Sequence, residues 1–218
     1  VYFTNVSRDC MMEFVSLFDY EFLTHEMWIS LSKRLTKEIK ENSENIENPR
    51  YMQKKEKGVD IQYSNNKLNG IFNYLKNNSN IKDEVNVTAS TISTGSLDQL
   101  LDIENSSNYF HTDNKEGSWV CFEFKKHKVN LSGYSIKSSN HEAGNDHLKN
   151  WAIEGSSDGN KWTKIDEINN CTYLNGRNYV HTFSIKNYKK NDEGFKFLRI
   201  RITGPGCHDN HYLQMCSM

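Results

Sequence analysis

The chain has 218 residues, a net charge of -1 and 36% hydrophobic residues, with aromatic rings making up 12% of the whole. That length holds one ordinary domain plus a smaller element. A charge near zero excludes field-driven attraction to nucleic acid or an anionic membrane, and no apolar run approaches the ~18 residues that a membrane-spanning helix needs.

In chain order, residues 9–40 follow a helical rhythm. Phe14, Leu17 and Phe18 sit at i, i+3 and i+4, and Trp28, Leu31 and Leu35 repeat that face after Thr24, a plausible N-cap. This helical pair carries an apolar stripe whose natural partners are helices upstream of Val1. Residues 41–68 turn polar and charged and are broken by Pro49 and Gly58, the composition of a linker with one short element around Val59–Tyr63. Leu68, Ile71, Phe72 and Leu75 return to helical spacing and predict a short helix.

From Glu84 onward the period falls to two. Eight short runs read as strands: "EVNVTASTIS", "WVCFEF", "GYSIKSS", "NWAIEGS", "KWTKIDE", "YVHTFSI", "FKFLRIRIT" and "HYLQMCSM". In "WVCFEF", Val120, Phe122 and Phe124 share a face. In "FLRIRIT", Leu198, Ile200 and Ile202 oppose Arg199 and Arg201. Between Trp151 and Trp162, Ser156-Ser157-Asp158-Gly159-Asn160 can only be a tight turn. Eight strands without intervening amphipathic helices predict an all-β antiparallel sandwich or barrel.

Five cysteines (Cys10, Cys121, Cys171, Cys207 and Cys216) form an odd set with no CxxC pair. A secreted disulfide framework shows an even set, so reduced thiols and a cytoplasmic location are the expectation. Six Asn-x-Ser/Thr sequons, at Asn5, Asn77, Asn86, Asn105, Asn130 and Asn170, are what an Asn-rich chain generates by chance. The chain starts at Val1 without a charged-then-apolar leader and ends at Met218 in what looks like an unfinished strand, so it reads as a fragment at both ends.

The ordered set "HTDNKEGSWVCFEF", "GYSIKSS", "HLKNWAIEGSSDGNKW" and "FKFLRIRITGPGCHDNHYLQMCSM" resembles a discoidin domain, also called the coagulation-factor type C domain. The resemblance covers residues 84–218 and implies an eight-stranded antiparallel jelly-roll sandwich, preceded by a small helical segment (1–45) and a linker with a short helix (46–83). The wording "HLKNW" and "DNHYL" is most similar to the intracellular branch of the family, whose domains follow BTB and BACK segments. Residues 9–40 are similar to the last helices of a BACK segment. What the resemblance implies is a recognition domain that binds a protein partner as part of a BTB–BACK adaptor, and through its upstream module a cullin-type ubiquitin ligase. The alternative is an extracellular adhesion lectin that binds carbohydrate or lipid.

Function is expected on loops at one end of the sandwich, where the family's ligands bind; the Trp151–Trp162 hairpin is scaffold. Three polar segments carry the candidate ligand-binding residues: His111 and Asp113; Asn140, His141 and Asp146; and His208, Asn210 and His211. Tyr109, Phe110 or Tyr212 could add a stacking face, while His147, just before a strand, reads as a fastener of its loop. The same residues also have bland readings, since histidine and asparagine are ordinary loop residues that bond to local backbone.

Two metal readings stay open. Zinc would use the His141/His147 and His208/His211 spacings beside Cys207, but tetrahedral zinc needs four ligands and spacing alone does not supply them. Some relatives of the discoidin fold hold calcium in the first long loop, which here offers Asp102, Glu104 and Asn105. No cofactor is expected. There is no Gly-x-Ser-x-Gly elbow, Gly-rich phosphate loop or His-Glu-x-x-His helix, so the chain is read as non-enzymatic. The basic run Lys125–Lys128 is too short for a nucleic-acid site and reads as a solvated turn.

Overall fold

A computed structural model describes residues 58–61, 68–102, 104, 107–186, 188 and 194–218. The helical pair expected over residues 9–40 and most of the linker fall outside these. Of the short element expected at Val59–Tyr63, the described part, Val59–Ile61, is neither helix nor strand.

Ile61–Met218 forms one compact unit. Its described elements are two helices, α1 (Ile71–Asn78) and α2 (Ile81–Glu84), a 3-10 turn (Leu97–Leu101), and nine strands. These are β1 (Val85–Ala89), β2 (Phe110–His111), β3 (Trp119–Phe124), β4 (Gly133–Lys137), β5 (Trp151–Ser156), β6 (Thr163–Ile168), β7 (Val180–Ser184), β8 (Phe197–Ile202) and β9 (Gln214–Met215). Each of the eight runs read from the sequence overlaps one of them. The ninth, β2, has two residues, too few for an alternation to register.

One layer is a five-stranded antiparallel sheet in the order β1-β3-β8-β5-β6. The other is assembled from two short ladders, β2-β9 and β4-β7, joined where Lys137 bridges Ser217. The register explains the sequence pattern: Val120 lies opposite Ile200 and Phe122 opposite Leu198, so the apolar faces of β3 and β8 point together into the sandwich. Val120, Phe122, Phe124, Leu198, Ile200 and Ile202 are all buried, whereas Arg199 and Arg201 alternate to the outer face.

The layers are locked by a polar relay inside the core. Trp151 on β5 is fully buried and donates its indole N–H to the Tyr134 hydroxyl on β4 at 3.1 Å. Tyr134 in turn donates to Asp166 on β6 at 2.9 Å, so both aromatic polar tips are satisfied. Phe183 of β7 completes the group, stacked on Tyr134 and edge-on to Trp151. Trp162 lies on the outer face of the sheet, with the Arg199 guanidinium 3.9 Å above its ring.

The hairpin turn forms for a local reason. Asp158 accepts backbone N–H groups from Asn160 at 2.8 Å and Lys161 at 2.9 Å, and Gly159 supplies the φ of +77° that the turn demands. These N–H bonds, led by that of Lys161, hold the Asp158 carboxyl below its ordinary range. Before β1, α1 buries Phe72 and Leu75 against the sandwich, with the Phe72 ring 5.1 Å from Phe122 and 6.1 Å from Phe124.

Candidate functional site

The end of the sandwich from which β5 departs is built by three segments distant in sequence: 107–116, 138–147 and 206–214. Specific bonds draw them together. The Asn140 amide donates to the Ser107 carbonyl at 2.7 Å, the backbone N–H of His211 donates to Asn114 at 2.8 Å, and that of Cys207 donates to the His147 carbonyl at 2.9 Å. The two shortest strands hold the rim to the core, because β2 pairs with β9 and places His111 opposite Gln214.

The best-defined group on this rim is aromatic and polar at once. Tyr109 stacks on the His111 imidazole, with centroids 5.7 Å apart and planes 11° from parallel. His141 approaches Tyr109 edge-on at 4.4 Å, and Tyr212 approaches His111 edge-on at 5.2 Å. All four rings are half-buried. Their polar atoms are oriented from below: the Gln214 amide donates to His141 Nδ1 at 3.2 Å, and Gln214 Oε1 accepts from the Ser139 hydroxyl at 3.3 Å. In a neutral His141 the outer nitrogen, Nε2, then carries the proton and is a donor. Beside it, Asn140 Oδ1 is buried with no hydrogen-bond partner among the described residues.

A second group is ionic. Asp146 accepts from the Asn210 side-chain amide, and His208 Nδ1 lies 3.5 Å from the same carboxylate. Asn210 Oδ1 is a second buried acceptor without a partner among the described residues. His211 has its Nε2 3.8 Å from Glu116.

His147 is buried beneath the rim, with Nε2 bonded to the Glu142 carbonyl at 3.0 Å and Nδ1 3.4 Å from the Ser139 hydroxyl. Burial pushes its pKa below the ordinary value, against the raising effect of the carbonyl bond. It fastens the loop to the sheet, the bland role expected for it.

The sequence model of the F5/8 type C domain, the discoidin domain, matches residues 84–217. The chain belongs to that family. Solved structures similar to this discoidin domain include CpGH89CBM32-5 from Clostridium perfringens, in complex with GalNAc-β-1,3-galactose, at 15% identity over 61% of this chain and 91% of that one, with a TM-score of 0.47. Another is the family 32 CBM of C. perfringens NanJ in complex with galactose, at 14% identity over 62% and 92%, with a TM-score of 0.46.

The discoidin rim sorts the sequence candidates into groups that spacing did not separate. His111, Asn140 and His141 share the aromatic group; Asp146, His208 and Asn210 form the second one; His211 faces Glu116 instead. Asp113 joins neither: it is exposed, and its backbone N–H donates to Thr91 at 2.8 Å. Of the stacking candidates, Tyr109 and Tyr212 lie on the rim, whereas Phe110 is fully buried in the core because it alternates inward from His111 in β2. Gln214 and Ser139 orient the site and were missed, since both are buried polar residues inside strand-like runs rather than loop residues.

Neither metal reading gains support. Among the described residues no three His, Cys, Asp or Glu side chains come together as a metal site. Both ring nitrogens of His147 already face partners. Asp102 caps the Glu104 N–H at 3.3 Å and lies 3.4 Å from Lys76, and Asn105 is outside the described residues. The described cysteines are all unpaired, and burial raises each thiol, that of Cys121 to about 11.

Proposed function

We propose that this discoidin domain is a non-catalytic recognition module whose rim captures a glycan. The observation that carries the reading is the ring group Tyr109–His111–His141–Tyr212, braced by Gln214. A pyranose presents an apolar C–H face and equatorial hydroxyls. The rings supply a surface for the first, and the imidazoles supply a donor and an acceptor for the second. The bracing matters because a side chain already held in place loses little freedom on binding.

A protein segment presented by a BTB–BACK adaptor is the second reading. The wording of His147–Trp151 and Asp209–Leu213 favours it. One paired experiment separates the two. The 218-residue chain and its His141→Ala and Tyr109→Ala variants are applied to a printed glycan array and used as bait in cell lysate, with and without free sugar. Array binding that weakens about tenfold in both variants supports the glycan reading. Captured proteins that are lost with both variants and indifferent to sugar support the protein segment. Identical behaviour of all three chains removes the rim as the site.

A further inference from the structure

Tyr173, in the segment between β6 and β7, is 63% exposed, yet its ring is not loose. It lies parallel to the His181 imidazole, with centroids 4.1 Å apart and planes 3° from parallel, and His181 packs edge-on against Phe183 in the core at 4.7 Å. One face of the tyrosine is thus occupied and the ring is anchored through His181 to the sandwich. A single exposed tyrosine is ordinary. One held flat on a second ring, on a segment bonded at several points, is already ordered for stacking.

Those points connect the segment to the rim. Asn175 accepts the Gly144 N–H at 2.7 Å, Arg177 pairs with Glu142 at 2.7 Å, and the Asn178 N–H donates to the Ser139 carbonyl at 2.9 Å. Gly144, Glu142 and Ser139 all belong to the rim segment that carries His141. We propose that Tyr173 is a second stacking subsite, continuous with the rim, that receives an outer sugar unit of an extended, uncharged glycan. The surroundings select this chemistry. Arg177 is paired with Glu142, so a phosphate or sulfate would meet a compensated charge at that residue and not a lone cation. The segment's amide and ion-pair groups offer hydrogen bonds around an aromatic face, which suits a neutral polyhydroxyl ring.

This inference rests on the glycan reading of the rim, and the test keeps their failures apart. The probes are galactose, N-acetylgalactosamine, glucose and mannose, each as monosaccharide, β-linked dimer and β-linked tetramer, titrated calorimetrically against the 218-residue chain. The expected result is a tetramer bound about tenfold tighter than its monosaccharide. Tyr173→Ala loses that gain and Tyr173→Phe keeps it. Any statistical advantage of a longer chain is common to all variants and cancels. Tyr74→Ala, on α1, controls for loss of an exposed tyrosine as such, and matching melting temperatures show that the variants fold. A length-dependent gain that survives Tyr173→Ala, or no such gain in the parent chain, overturns the subsite while leaving the rim standing. Failure of every probe to bind the parent chain overturns both.

Discussion

Replacing Phe72 with alanine tests whether α1 is part of the folded unit or merely precedes it. The family match begins at residue 84, beyond the helix. Phe72 is nonetheless only 8% exposed, and its ring sits 5.1 Å from Phe122 and 6.1 Å from Phe124, both on the interior strand β3. Truncating a buried phenylalanine costs about 3–5 kcal/mol, the transfer of the ring plus the cavity left behind. Phe72 lies at the margin of the core, where neighbours can relax into the gap, so the lower end, about 3 kcal/mol, is expected. For a unit of this size that is a fall of about 6–12 °C in Tm. The assay is urea unfolding of the 218-residue chain followed by near-UV circular dichroism, which reads the packed aromatics of the sandwich. The midpoint moves to lower urea with an unchanged slope. Tyr74→Ala, on the solvent side of the same helix, moves it by less than about 0.5 kcal/mol. A midpoint shift below about 1 kcal/mol for Phe72→Ala would refute the reasoning, because the sandwich would then be indifferent to the helix packed on it.

Three further perturbations bear on the scaffold and the rim. Glu154 is buried between Arg199 and Arg201; burial alone would raise its carboxyl, but the hydrogen bonds from Arg201 and Arg199 prevail and its pKa lies below the ordinary value. Its contribution is therefore present above about pH 4.5 and lost as the pH falls through the depressed value, and Glu154→Gln costs about 2 kcal/mol at neutral pH while flattening the acid limb of a Tm-versus-pH curve. Gly95 adopts φ +84°, and a Cβ there would meet the Tyr109 carbonyl and come within 3.0 Å of the Phe110 Cα. Gly95→Ala is expected to cost about 1–3 kcal/mol by thermal melt and to weaken rim binding by displacing Tyr109. His147 has a pKa lowered by burial, so as the pH drops below about 6.5, the ordinary imidazole value, the unfolded chain takes up a proton that the folded chain refuses. Stability falls in that window, and His147→Gln removes part of the fall measured between pH 8 and pH 5.5.

What the sequence disclosed follows from how each feature is encoded. β8 was legible because its burial alternates residue by residue, as its sequence does. β5 was legible as a strand but not as a buried one: all six of its residues are covered, because it lies between β8 and β6 and its outward Glu154 is roofed by two arginines from β8. The partners of Phe72 are some fifty residues away, and helical periodicity marks an apolar face without saying what it meets. The rim was legible as three polar loops carrying histidines. Its division was not, because Asp146 finds Asn210 across 64 residues and His141 finds Gln214 across 73. Gln214 itself sits in a two-residue strand among buried neighbours, where neither loop chemistry nor alternation marks it.

The topology also accounts for the division of labour between the two ends of the sandwich. β5 begins beside the rim segment 138–147 and ends in the Ser156–Asn160 turn. At about 3.3 Å per residue its six residues set the two roughly 20 Å apart. The turn is closed by its own Asp158 and Gly159 and needs nothing from elsewhere in the chain. The rim is the reverse case. Its His111 is positioned by pairing with Gln214 more than a hundred residues later, and its 138–147 segment is held by His147 from below. A turn that specifies itself locally can be read from sequence and does the same structural work wherever it occurs. A rim assembled from three distant loops on a two-residue ladder can have its exposed residues exchanged without unmaking the sheet, since β3, β5 and β8 pair over most of their lengths without it. A rim of that construction suits the recognition proposed for it, and substitutions there are expected to change what is bound before they change whether the domain folds.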